Sequence, residues 1–557
     1  MNQFVWQQNY DPLHSCLLSG LLASVPLALL LFAFLFLKKR VWQSALVGML
    51  AAAVLALFVF RMPAALIATS VLLGVLFGWL QVAWVIVASI FLFNITVATG
   101  QFRLMQRSIS ELCPDKRIQV VLAAFCFGAF LEGTGSGGTP VAMVGVLLVG
   151  LGFPPLQAAK VCLLANTVPL AWGAAGRPIH ELASVTGLQP QVLNAMTGRI
   201  LPILSAVLPF WLVTALVGRR RAMEVFPALA VCGLTFGLVQ CLWSNFGGPG
   251  PVDLVAATAS LVAVLALLRV WQPASVMSNT PMTESPIARP AEVSSSKPND
   301  RPSHSTRTIL RGWAPFLLAS LLVLISGIPA VSRALSLQVL RRPVPLLDNA
   351  VWRVPPVVPV PVPERAVADL NIAAMHGTAI FLGATIAALL LGLRGGEIRR
   401  IFFTTAGGLI HSLLGVSFMV GFLFVTRYSG MLTSMGLVFT AAGVAYPFAG
   451  TFLGWLGVTL SGSSAVSNFL YGYLQRSTAE RIGVNPVLMA AANSCGGVMG
   501  NMMDPQSILV SSTATQQSGK EAAIFRTVFK HSLLLTSLLG LIVLLYAYFF
   551  PGAVPGP

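Results

Sequence analysis

Twice in this chain a stretch apolar enough for a bilayer is broken by glycine and small polar residues. The first break is EGTGSGGTP, Glu132 to Pro140, and the second is SGSSAVSN, Ser461 to Asn468. Each is echoed downstream: NTVPLAWGAAGRP begins at Asn166, and NSCGGVMGNMMDPQS begins at Asn493. The spacings are similar, 166 − 133 = 33 residues from Gly133 and 493 − 462 = 31 from Gly462. Unsatisfied backbone N–H and C=O groups in hydrocarbon each cost several kcal/mol, so backbone that leaves the helix there must line a cavity or be buried in protein. Paired interruptions in two halves of a chain mark the binding site of a secondary transporter.

The composition agrees. Of 557 residues, 56% are hydrophobic and 9% charged, against roughly 25% charged in soluble domains. Apolar stretches of about 20 residues recur along the chain, the length a helix needs to cross about 30 Å of hydrocarbon. The alternating ten-residue pattern of an outer-membrane barrel is absent. The net charge of +17 does not indicate nucleic-acid binding, because the Arg and Lys residues fall in short loops between spans, as positive-inside topology requires. The seven Cys residues are scattered without metal-ligand spacing, and neither a metal nor another cofactor is expected.

Basic landmarks at Lys38–Arg40, Arg103–Arg117, Arg219–Arg221, Arg289–Arg311 and Arg394–Arg400 can all be placed in the cytoplasm. The N-terminus lacks the basic leader of a secretory signal, so the first span should be retained and should start outside. Spans are expected near 13–37, 41–60, 200–218, 225–243, 252–270, 313–332, 370–393, 402–425 and 433–457, with residues 63–99 as one broken or tilted crossing. Residues 118–131 and 140–152 should form a hairpin around the first glycine run, followed by a broken helix over 156–175. The same unit is expected around Ser461 to Asn468 and from Pro486 to Pro505. The chain divides into an N-terminal transmembrane half (1–271), a polar, disordered cytoplasmic linker (272–308) and a C-terminal half (309–557). Within the latter, 341–365 is a proline-rich segment expected to be external and extended, a stiff spacer.

Glu132 is the most informative single residue. An ionisable side chain at membrane depth is rare and by default marks an ion or proton path; otherwise it caps the hairpin's glycine N–H groups or pairs with a buried Arg. Thr134, Ser136 and Thr139 add hydroxyls, Gly133 lets a ligand approach the backbone, and Pro140 can open a half-helix whose free N–H groups favour a carboxylate. The same glycines would also suit a tight helix-packing seam. Arg177 fits a bidentate contact to a substrate carboxylate and equally a snorkelling position at the outer interface. Asp504 suits a turn before proline or, with Gln506 and Ser507, ion coordination. The histidines are spread singly and read as interfacial or packed.

These residues resemble the lactate permease family, which includes bacterial L-lactate and glycolate permeases. The resemblance begins with WQQNYDP at Trp6, is densest in FCFGAFLEG at Phe125 to Gly133, and continues through LLVGLGFPPL at Leu147 and NTVPLAWGA at Asn166. It extends to FLGWLGV at Phe452, AANSCGGV at Ala491 and FRTVFKHSLL at Phe525. It implies a symporter of the cytoplasmic membrane that takes up L-lactate, glycolate or related 2-hydroxy monocarboxylates with protons, and Glu132 falls on a matching position. Where family members usually read EGAAGFG this chain has EGTGSGG. Where they read GSDTSSN it has GSSAVSN, and where they read MISPQS it has MMDPQS, so hydroxyls are added and an acid is moved.

The expected molecule is thus an all-α polytopic protein of the bacterial inner membrane, with about 12 transmembrane helices in two inverted repeats, each with a re-entrant hairpin and a broken helix. It moves a small organic anion with protons, with Glu132 coupling. Gly133, Thr134, Ser136, Thr139, Asn166, Thr167, Arg177, Ser463, Ser467, Asn468, Asn493, Ser494 and Asp504 bind substrate. A sodium-coupled carrier of another anion is the alternative within transport. An intramembrane hydrolase with Ser136 as nucleophile needs a base within hydrogen-bond reach, and no His lies in the neighbouring spans.

Overall fold

The computed structural model describes residues 5–37, 39–102, 104–105, 108, 113–134, 138–277, 306–336 and 340–556. Most of the expected linker, residues 278–305, and Ser136 lie outside them. Nine helices among the described residues are long and apolar enough to cross a membrane.

Three spans come first, α1 (Cys16–Leu35), α2 (Val41–Phe58) and α3 (Ala64–Ala98). The awkward 63–99 stretch is the single helix α3, with a π turn at Gly78–Ala83. At about 1.5 Å per residue it is roughly 50 Å long, so it must tilt in a bilayer. A hairpin follows: α4 (116–134, also with a π turn) and α5 (Thr139–Gly150). Next comes α6 (Pro155–Ala165), which stops at Asn166; a 3-10 turn at Val168–Trp172 then leads into α7 (Gly173–Thr186). The first stretch closes with α8 (Pro190–Val217), α9 (Phe226–Phe246) and α10 (Val252–Val270).

After the linker come α11 (Thr306–Gly327), α12 (His376–Leu390), α13 (Gly395–Gly408) and α14 (Ile410–Tyr428). The span expected at 402–425 is thereby corrected. Residues 395–408 form a separate helix with Ile398 and Thr405 as its buried residues, and the crossing segment starts at Ile410. The second hairpin is α15 (Tyr446–Ser461) and α16 (Ser464–Ile482). A second broken helix follows, α17 (Pro486–Gly500) and α18 (Pro505–Ala514), before the last span, α19 (Glu521–Tyr548).

Helices from the two stretches interleave. α2 and α3 pack on α14, and α3 packs on α12. Trp79 donates to Ser417 at 2.7 Å and Trp84 to Thr378 at 2.9 Å, so indole N–H groups tie α3 to α14 and α12. Gly74 permits a close approach of α3 to α14, since a methyl group there would lie 2.7 Å from the Val420 carbonyl oxygen.

The first hairpin opens at one end of the molecule. There Arg117 pairs with Asp115 (2.6 Å) and Glu224 (2.7 Å) and donates to the Ser275 carbonyl. Glu224 is held below the usual carboxylate range by hydrogen bonds from Ser275 and Arg117. The second hairpin opens at the other end of α8, where Arg476 donates to the Thr186 carbonyl. At that end lies the proline-rich segment, which is not the extended spacer expected from its composition. It folds into short strands β2 (Arg341–Pro343), β3 (Val351–Arg353), β4 (Val362–Pro363) and β5 (Val367–Asp369). Its Leu347, Val351 and Val357 are fully buried, which gives it a small core that a solvated spacer would lack. β3 also pairs with β1 (Trp6–Gln7) in parallel.

Candidate functional site

The two chain breaks meet. Asn501, where α17 ends, donates from Nδ2 to the Asn166 carbonyl, where α6 ends (3.3 Å). Prolines explain both restarts: Pro169 opens the 3-10 turn, Pro505 opens α18, and neither can continue a preceding helix. Asp504 caps α18, its carboxylate accepting from Gln506 N (3.0 Å) and Ser507 N (2.8 Å). It also faces the second hairpin tip, since a methyl group on Gly462 (φ +65°) would lie 2.8 Å from its Oδ2.

Beside this crossing is a cavity of about 350 Å³. Its polar lining combines Arg177 with Ser461, Ser463, Ser464 and Gln506, and also includes Glu181, His376 and Arg427. Arg177 is exposed to it. The turn that aims Arg177 needs Gly176, which has φ +79° and no room for a side chain against the Pro249 carbonyl. Ser463 is the N-cap of α16, accepting from Val466 N at 3.4 Å, and the Ser464 hydroxyl has no partner. The N-terminus of α16 therefore faces a cavity that also holds a guanidinium, whereas the first N–H groups of α18 are taken by Asp504 and Pro505 has none. A helix N-terminus beside a guanidinium has the chemistry that suits a small carboxylate.

The other expected site residues stand behind this wall. Asn468 donates to the Pro178 carbonyl (2.9 Å) and to Ser494 Oγ (3.3 Å), and Asn493 donates to Asn468 Oδ1 (3.0 Å) and approaches Ser467 Oγ (3.5 Å). All four are buried and tie α16 to α17 and to α7. Thr167 is buried, its hydroxyl donating to the Leu164 carbonyl at 2.9 Å. Thr134 and Thr139 lie at the ends of the first hairpin's helices. Gly133 packs on α10; a methyl group there would lie 2.9 Å from Leu254 N. Glu132 is fully buried, with Asn166 beside it, and neither of its oxygens has a hydrogen-bond partner.

Four groups escaped the sequence reading. His376 was read as interfacial or packed and Arg427 was not singled out, yet both line the cavity, and Gln506 was seen only as a companion of Asp504. Asp253, in GGPGPVD, has the local look of a surface turn but is buried. The available signal was its position one residue inside an apolar span.

Residues 19–550 match the profile of the L-lactate permease family. The chain belongs to that family. Among its relatives is the glycolate permease GlcA of Escherichia coli K12, 39% identical over 553 residues, which are 98% of this chain and 99% of the relative. The L-lactate permease of Salmonella typhimurium LT2 is 38% identical over 557 residues (99% and 100%), and that of Bacillus subtilis 168 is 37% identical over 570 (99% and 100%). A solved transporter, YdaH of Alcanivorax borkumensis, aligns over 85% of this chain and 86% of its own at 13% identity and a TM-score of 0.28, a likeness too slight to argue from. Membership in the L-lactate permease family makes this chain a multi-pass membrane transporter rather than an enzyme.

Proposed function

We propose that this permease takes up L-lactate, glycolate or a closely related 2-hydroxy monocarboxylate across the bacterial cytoplasmic membrane together with protons. The observation that carries the reading is the cavity in which Arg177 and the N-terminus of α16 converge. A carboxylate there would meet one cation and free N–H groups, and Ser463 and Ser464 would be within reach of a 2-hydroxyl. The relatives named as lactate and glycolate permeases support the substrate class. Glu132 is the coupling group in this reading, as a carboxyl at the core with no cation partner.

Two hairpin-plus-broken-helix units whose open ends lie at opposite ends of the bundle suit inverted repeats, and alternating access would move one unit against the other around the crossed breaks. Thr134 and Ser136 would favour acids with more hydroxyl or oxo groups than lactate. A site built to hydrogen-bond such a group rejects analogues lacking it far more strongly than a pocket distinguishes methylenes.

Purified protein in liposomes, offered a panel of labelled hydroxy acids under imposed proton or sodium gradients, tests the proposal. An inward proton gradient should drive accumulation of lactate or glycolate. Accumulation driven by sodium at zero pH gradient would replace proton coupling with sodium coupling.

A further inference from the structure

Asp253, at the first turn of α10, is 1% exposed. Its Oδ1 accepts from Gln240 Nε2 at 3.0 Å, and Gln240 is oriented in turn by Ser205, whose hydroxyl donates to Gln240 Oε1 at 2.5 Å. Oδ2 has no partner. The backbone of α10 at this point touches the first hairpin at Gly133, and Glu132 acts electrostatically on Asp253. Neither carboxyl takes part in an ion pair among the described residues. On the remaining sides Asp253 meets uncharged groups, Gln240 from α9 and the main chain at Trp172, and Glu132 meets Asn166.

Two carboxylates with three unpartnered oxygens between them cannot both carry charge in a dry interior without a cation, because the desolvation cost and the mutual repulsion add. One proton shared by such a pair belongs to the pair rather than to either residue. We infer that Asp253 and Glu132 together hold the transported proton, with Asp253 as the member that reports its state to the substrate cavity.

The link is the 3-10 turn. Trp172 presents its main chain to Asp253, while Leu170 and Gly173, on either side, line the cavity. The Trp172 indole is anchored separately, donating to Asn194 Oδ1 at 2.6 Å, so the turn is held on both faces. Proton binding forms one O–H bond at a carboxylate and breaks one in hydronium, with no change of oxidation state. It also removes the charge that faces the turn, which is the contact through which loading can alter the cavity wall.

This inference rests on proton symport and is tested alongside it. Liposomes with the parent, Asp253→Asn or Asp253→Glu are assayed for labelled-lactate exchange without a gradient and for accumulation under an inward proton gradient. Asn keeps the shape and the Gln240 contact, so exchange should persist while accumulation is lost. Glu should restore accumulation with a displaced pH profile. Accumulation by Asp253→Asn at the parent level overturns the role of Asp253 and leaves symport standing. A parent that does not accumulate under a proton gradient overturns both. If Asp253→Asn fails to fold, Asp253→Glu decides: an accumulation pH profile identical to the parent's overturns the inference.

Discussion

Gly454 and Gly496 do a different job from Gly462, although all three sit in similar small-residue runs. A methyl group on Gly496 would collide with the Thr451 carbonyl, and one on Gly454 with the Asn493 carbonyl; these glycines let α15 and α17 touch backbone to backbone. Gly496→Ala should therefore destabilise the fold by about 1–3 kcal/mol, the usual cost of overpacking, because main chain cannot swing aside. A lowered thermal unfolding midpoint in detergent would register it. Arg177→Lys should behave in the opposite way. The side chain is exposed and lines the cavity, so stability should stay within about 0.5 kcal/mol. The Michaelis constant for lactate should rise by roughly tenfold as a bidentate carboxylate contact is lost. An unchanged constant would move Arg177 out of the site. Glu132→Gln keeps shape without charge and should abolish proton-driven uptake while leaving exchange; accumulation at the parent rate would remove Glu132 from the coupling role. The sequence carried Glu132 and Arg177 because charge at membrane depth is visible in any reading. It could not separate packing glycines from turn glycines, since that difference lies in what stands opposite them.

At the scale of elements, the buried amides of α16 and α17 act as a clasp. Asn493 gives Nδ2 to Asn468 and takes a bond from Gln475 Nε2 at 3.2 Å, and Asn468 continues to the Pro178 carbonyl beside Arg177. Asn493→Ala strands the Asn468 oxygen and should cost about 1–3 kcal/mol, the penalty of an unmet buried polar group. Thermal unfolding in detergent checks the cost, and transport by the folded fraction checks whether the clasp holds the cavity wall. Helix existence was legible from apolar run length, and both breaks from proline and asparagine. The proline-rich segment and α13 were not. Proline composition alone suggests an isolated extended chain, whereas the segment's apolar side chains find a shared core only once it folds back on itself. For α13, a run of Phe and Ile beside the α14 span hid a separate amphipathic helix.

For the whole molecule, the basic loops define an orientation that labelling can test. Single cysteines placed within 278–305 and within 341–365, after removal of the exposed Cys16, should react differently with an impermeant thiol reagent on intact cells. The proline-rich segment should label and the linker should not; the reverse pattern inverts the topology. The pairing of Trp6 with Val351 and of Gln7 with Trp352 also fixes an order of events. At about 5–20 residues per second of synthesis, a strand near the start of the chain waits roughly 20–70 s for its partner to emerge. Until then that end of the first helices lacks its β cover, and Gln8 lacks the Tyr428 carbonyl it later binds at 2.9 Å. Membrane insertion of the early helices must therefore precede, by a large fraction of the synthesis time, the closure of that end, and a nascent chain stalled before residue 351 would remain open there.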